Sequence, residues 1–275
     1  RVHSAALMSA LPHQRVGSPA GRQALVLHGI LGTKTNWRTV IRKVAERAPQ
    51  WGFVLPDLRN HGDAQGIAGP HTLDAAARDL DALGGPFDAV IGHSYGGKVA
   101  LAWAATTPVA PSLVVTVDSN PGPRPDRRGA EGTTLLVDAL ATMGGPFPTR
   151  EAFTAALVAK GFARDLAAWV AMNVAARDGA WRLRTDVTAI RAMLDDYFAR
   201  DLWPVVESPR DHTRVLAIVG GTSSSLDAGD RARLTRAAAR CERVRVAVVE
   251  GAGHWVHVDA PEETVTLLAE ALAGV

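Results

Sequence analysis

The pentapeptide Gly92-His93-Ser94-Tyr95-Gly96 places a serine two positions from a glycine on either side. It follows the apolar run Phe87 to Ile91 and opens a stretch of helical spacing from Tyr95 to Thr106. A serine on so sharp a strand-to-helix turn projects its Oγ clear of the sheet. Neighbours two positions away crowd the turn, so Gly92 and Gly96 supply the missing Cβ atoms, and Gly97 lets the helix approach the sheet. Ser94 is therefore a candidate nucleophile. A serine hydroxyl that attacks a carbonyl needs a base within hydrogen-bond reach, and the base needs a buried carboxylate to orient it. The chain offers nine histidines. His254, in Gly251-Ala252-Gly253-His254, and His257 three residues later both follow the apolar run Val244 to Val249. Two acids compete. Asp118 ends the run Leu113 to Val117, 24 residues beyond Ser94, and Asp227 stands just before the helical stretch Ala228 to Ala239, where an N-cap is its simpler role.

These residues must be held by a scaffold, and its elements alternate. Short apolar runs at Ala24 to Leu27, Phe53 to Leu55, Phe87 to Ile91, Leu113 to Val117, Val215 to Val219 and Val244 to Val249 read as buried strands. Helical spacing separates them at Trp37 to Ala48, Leu73 to Leu83, Tyr95 to Thr106 and Ala228 to Ala239, with a last helix at Glu262 to Leu272. Repeated βα units with continuously apolar strands predict a mostly parallel sheet flanked by helices. Between about Ser119 and Ser208 only helical patterns are legible. The chain thus divides into a core, 1–118 with 209–275, and an inserted helical cap, 119–208.

Composition narrows the function classes. The 275 residues are 47% hydrophobic and 21% charged, which predicts a globular chain. A net charge of +2 without a block of like charges argues against nucleic-acid binding. The lone Cys241 excludes an internal disulfide and a paired-cysteine metal site; it reads as a buried thiol, compatible with a reducing compartment such as the cytoplasm or an organelle matrix. Val99 to Val117 carries no charge, but Pro108 and Pro111 break it, so it reads as a helix, a turn and a strand and not as a membrane span. Arg1 to Pro19 has neither an initiator Met nor a secretory apolar core, a pattern that a removed targeting segment would also leave. No HExxH, EF-hand or P-loop pattern occurs, so neither a metal nor a nucleotide cofactor is expected.

The chain resembles the α/β-hydrolase-fold enzymes, and within them the small acyl esterases and thioesterases with a helical cap. The matching stretches are Leu27-His28-Gly29-Ile30-Leu31-Gly32, Asp57-Leu58-Arg59-Asn60-His61-Gly62, Ile91 to Lys98, Val117-Asp118 and Gly251 to His257. They run in family order through nearly the whole chain. The resemblance implies the α/β-hydrolase fold and a Ser-His-Asp triad of Ser94, His254 and Asp118. It puts the His254 loop over the nucleophile and leaves His28 and His61 to loop structure. It has the His93 side chain point away from the crest of the sheet, and His257 pack behind. The usual acid position follows the strand Val215 to Val219, where this chain has Gly220-Gly221-Thr222-Ser223-Ser224-Ser225 and no Asp; Ser223 stands in its place. In the esterase subgroup the acid moves to the position of Asp118, with Ser223 as a neighbouring hydrogen-bond donor. Asp57 is left to fix its own loop. The oxyanion hole would use the backbone N–H of Tyr95 and of Ile30, with Leu31 as the neighbouring alternative.

The implied activity is hydrolysis of carboxylic esters or thioesters through an acyl-enzyme. Two alternatives share the same residues: a perhydrolase of the non-heme haloperoxidase type, and a slow-turnover ligand receptor. Eight of the fifteen aromatic residues fall in the cap, as do Met143, Met172 and Met193. Most serve the cap's own packing, and the rest would roof an apolar acyl group, with Met as the adaptable part. Arg124, Arg127 and Arg128 would meet an anionic tail such as a coenzyme A phosphate, or, as the simpler reading, stand solvated. The partner is then a small-molecule ester, and the expected assembly a monomer or homodimer.

Overall fold

Along the central strands successive side chains alternate between two packed faces, as a sheet covered on both sides requires. Ala24 and Val26 enter one apolar cluster with Trp37, Ile41, Val265 and Leu268, while Leu25 and Leu27 enter another with Leu80, Val99 and Leu234. The computed structural model describes residues 10–275; the part of the targeting-segment reading that falls on residues 1–9 lies outside them. The first half of the core consists of β1 (His13–Gly17), β2 (Arg22–Leu27), α1 (Arg38–Arg47), β3 (Trp51–Pro56), α2 (Leu73–Asp81), β4 (Ala89–His93), α3 (Tyr95–Thr106) and β5 (Leu113–Val117). An inserted segment follows, with α4 (Glu131–Thr142), α5 (Arg150–Ala159), α6 (Arg164–Val170), a 3-10 turn (Ala171–Asn173), β6 (Val174–Arg177), β7 (Ala180–Leu183), α7 (Val187–Ala199) and α8 (Trp203–Glu207). The core resumes with β8 (Arg214–Gly220), α9 (Ala228–Arg240), β9 (Val244–Val249), α10 (Val256–Asp259) and α11 (Pro261–Ala273).

The seven-stranded sheet runs β1-β3-β2-β4-β5-β8-β9, parallel throughout except for the edge strand β1. The chain passes from β2 outward to β3, then crosses back to β4 on the other side of β2. The carboxyl ends of β2 and β4 therefore diverge at a switch point, where sheets of this kind form their clefts. In register, Leu27 lies beside Gly92, His93 beside Val117, and Val117 beside Ile218, so the loops after β2, β4, β5 and β8 emerge along one edge. The charge-free run resolves into the end of α3, a turn and β5, and no helix among the described residues is long and apolar enough to cross a membrane.

Three expectations change. The insertion is not all helical: β6 and β7 form an antiparallel hairpin turned by Asp178 and Gly179, at φ 53° and 74°. Asp-Gly suits such a two-residue turn, where both central residues need positive φ. Cys241 is half-buried where α9 ends, not enclosed. Arg124 is buried, held by ion pairs to Asp230 and to Asp227 at the start of α9; Arg127 is half-buried and pairs with Asp195, while Arg128 is exposed as expected.

One buried cation ties the insertion to α3. Lys98 is fully enclosed, and its Nζ donates to the carbonyls of Gly122 at 2.7 Å and Tyr197 at 2.6 Å. Neither acceptor carries a formal charge, so burial pulls the amine down to about 7.

Candidate active site

Ser94 sits between β4 and α3 with φ 52° and ψ −119°, a conformation costly for any residue with a Cβ. It is held by its surroundings. The Ser94 N–H donates to Val117 O at 3.0 Å, and its carbonyl accepts from Ser119 Oγ at 2.7 Å. A Cβ on Gly92 would overlap the backbone of Gly96 and Gly97, and one on Gly96 would overlap the carbonyl of His28, so both glycines are required by close approach. The Ser94 hydroxyl makes no capping bond to α3, although the residue stands at the helix N-cap.

Asp118 continues β5 by one residue, with φ 44°, and its N–H donates to Ile218 O at 2.7 Å. Its side chain is fully buried, and three donors converge on the carboxylate. Gly220 N–H approaches Oδ1 at 3.0 Å; Ser223 Oγ at 2.5 Å and His254 Nδ1 at 2.7 Å approach Oδ2. Ser225 Oγ, which the sequence did not single out, lies 2.8 Å from the same Nδ1. A carboxylate only accepts, so Nδ1 carries the proton, donates to Asp118 and shares that donation with Ser225. In the neutral ring that arrangement leaves Nε2 as the acceptor. Asp227 caps α9 instead, accepting from Asp230 N at 2.9 Å. Asp57 fixes its own loop by accepting from the Asp63 N–H and ties it to the loop after β2 through Lys34.

Around this pair stand buried, neutral histidines. His28 accepts from Leu58 N–H at Nε2 (3.0 Å), so its Nδ1–H donates to Gly29 O (2.7 Å). His257 stacks on Trp37 at 4.2 Å between ring centroids. His93 departs from expectation. Its ring does not turn away from the site but packs against that of His254, and Nε2–H donates to the His254 carbonyl at 2.9 Å. Burial holds His28 and His257 at about 4 and His61 at about 3, and keeps His93 well below its usual value. In the unfolded chain these rings take up protons near 6.5, and in the folded chain only at lower pH. Their contribution is thus complete above about pH 6.5 and is lost as pH falls toward 4. Urea denaturation should give a lower midpoint at pH 5 than at pH 7.5; equal midpoints would contradict burial in the neutral form.

Ser94, His254, Ile30 and Tyr95 line one cavity of about 410 Å³. The inserted segment lines it with apolar and aromatic side chains, Leu136 from α4, Leu166 and Trp169 from α6, and Leu194, Tyr197 and Phe198 from α7, and with the charged Arg124, Arg128 and Glu131. None of the insertion's methionines reaches it. Met193 is buried in the core, Met172 is exposed and Met143 lines a separate cavity, so the adaptable part of the expected roof is absent. The Ile30 and Leu31 N–H groups, and that of Tyr95 in the first turn of α3, donate to no other group among the described residues. No cluster of three or more His, Cys, Asp or Glu side chains among them is arranged to hold a metal ion.

Comparison with known proteins agrees with this architecture. Mouse sn-1-specific diacylglycerol lipase ABHD11 is 27% identical over 262 residues, covering 90% of this chain and 80% of the mouse protein. Lipase LipV of Mycobacterium tuberculosis is 34% identical over 110 residues, 38% of this chain and 40% of that lipase. Among solved structures, a marine microorganism esterase superposes with a TM-score of 0.80 at 20% identity, over 95% of this chain and 99% of the esterase. E-2-(acetamidomethylene)succinate hydrolase gives 0.74 at 22% identity, over 96% and 95%. The sequence matches the alpha/beta hydrolase family over residues 24–267, from β2 into α11, and with the sheet order and the strand–turn–helix at Ser94 this makes the chain a member of that family.

Proposed function

We propose that the protein is a serine hydrolase of carboxylic esters or thioesters with an apolar acyl group, working through an acyl-enzyme. The observation that carries this reading is the bond at 2.7 Å from His254, which lines the same cavity as the strained Ser94, to the buried Asp118. Ser94 Oγ attacks the acyl carbonyl and its proton passes to His254 Nε2. Asp118 holds the Nδ1–H tautomer and stabilises the imidazolium that forms. The carbonyl oxygen becomes an oxyanion, met by the N–H groups of Tyr95 and Ile30 and by the positive end of α3. Collapse breaks the bond to the alkoxide or thiolate, which takes the proton from His254. Water, deprotonated by the same Nε2, then releases the acid. Ser223 fixes the carboxylate, and 119–208 acts as the cap whose apolar side chains receive the acyl chain.

A screen of p-nitrophenyl esters and coenzyme A thioesters of increasing acyl length, joined to labelling with a fluorophosphonate, tests this. Turnover that rises from acetyl to a medium acyl chain is expected, with one phosphonate on Ser94 by peptide mass. Labelling elsewhere, or no turnover of any ester or thioester, would overturn it.

A further inference from the structure

The loop after β2 holds a backbone geometry that its own residues do not fully explain. Gly29 O accepts from His28 Nδ1–H at 2.7 Å and from Gly32 N–H at 3.0 Å. Across a trans peptide the next N–H points the opposite way, so Ile30 N–H is directed away from these donors. Gly29 itself lies against the nucleophile turn, where a Cβ would come within 3.3 Å of Ser94 Cβ. The chain then reverses at Leu31, a buried leucine at φ 60°. Positive φ is costly in a non-glycine residue and persists only when the surroundings impose it.

The turn Gly29–Gly32, closed by its own bond, puts Leu31 at the position that takes positive φ, and a second constraint on it comes from the insertion. Asn173, 3% exposed and 142 residues away, donates from Nδ2 to Leu31 O at 2.9 Å. Its own carbonyl accepts from Arg184 N–H at 2.9 Å, so the base of the β6–β7 hairpin fixes the asparagine. Arg184 reaches on to Gly62 O at 2.8 Å and Asp63 at 3.0 Å, and Asp63 pairs with Lys34 at 2.6 Å in the same loop as Leu31. The hairpin is thus clamped to both loops that flank the nucleophile on the β2 side.

We propose that Asn173 is a positioning residue for the oxyanion donor: by holding the Leu31 carbonyl it fixes the peptide planes on which the Ile30 N–H is aimed, so the insertion completes the oxyanion hole as well as covering the acyl group. This rests on the ester-hydrolase reading above. A donor displaced by a fraction of an ångström stabilises the transition state less while ground-state binding is kept, so the loss falls on kcat.

The variants are Asn173→Leu, which removes the donor at similar size, and Asn173→Asp, which sets a carboxylate against the Leu31 carbonyl. With a p-nitrophenyl ester, both should lower kcat by about 10- to 100-fold with KM changed by less than about threefold. Affinity for a trifluoromethyl ketone, whose adduct carries the oxyanion, should fall by the same factor as kcat/KM. Asn173→Gln, which retains the amide, should recover part of kcat. A general loosening of the cap would raise KM and lower the melting temperature with kcat retained, and that result would overturn the proposal, as would unchanged kcat in a folded variant. If Asn173→Leu does not fold, Asn173→Asp and the ketone affinity still decide. Loss of activity in Ser94→Ala together with wild-type kcat in the Asn173 variants would sink this inference alone; activity retained in Ser94→Ala would sink the reading beneath it.

Discussion

Ser94→Ala should lower kcat for an activated ester by about 10⁶-fold, the scale on which a serine hydrolase depends on its nucleophile. The fold should survive. The Ser94 hydroxyl makes no capping bond, and the contacts that hold the turn are its backbone N–H and carbonyl. Alanine has the same Cβ and meets the same cost at φ 52°. A melting temperature close to that of the unaltered protein should therefore accompany the loss. Rate and folding measured on one preparation separate the chemistry from the scaffold, and a variant that still turns over at full rate would refute Ser94 as nucleophile.

Asp118→Asn carries the second large effect, a fall in kcat of about 10⁴-fold. Gly220 N–H, Ser223 O–H and His254 Nδ1–H all donate to this carboxylate. An amide offers one accepting oxygen and one NH₂. With the oxygen kept at the Oδ1 position for Gly220 N–H, the NH₂ takes the Oδ2 position. There Ser223 Oγ can turn to accept from it and His254 Nδ1 faces a donor, which favours the tautomer protonated at Nε2 that cannot accept the serine proton. Asp227→Asn is the control. Asparagine caps a helix nearly as well, so kcat should stay within about twofold and stability within about 1 kcal/mol. The reverse pattern would move the acid to Asp227. Ser94→Ala with Asp118→Asn should be no slower than Ser94→Ala alone, because the two act as one unit.

The sequence carried the core of this arrangement because its signals are local. The strand–turn–helix at Ser94 is written in ten residues, and Asp118 stood out because the loop after β8 holds serines where a carboxylate was expected. What stayed hidden depends on tertiary structure. Ser225 reaches His254 through the conformation of loop 220–226. Arg124 is buried because α9 brings Asp230 to it across 106 positions. Asn173 meets Leu31 across 142. β1 lacks the apolar signature of its neighbours because it is a half-buried edge strand. In β6 and β7 most positions are partly or fully exposed and each strand has only four residues, so the Asp-Gly turn was their one readable mark.

Ser94 and Asp118 belong to one uninterrupted strand–helix–strand unit, β4–α3–β5, while the insertion begins only after the carboxylate. Lengthening, shortening or replacing the inserted segment therefore leaves the spacing of nucleophile and acid untouched. Had the acid followed β8, every change in the insertion would have lain between the two in the chain. On the proposed reading, the insertion is a separable cassette that can be exchanged without moving Ser94 relative to Asp118. A grafted cap needs few points of attachment, foremost a donor for the Leu31 carbonyl and acceptors for the Lys98 amine.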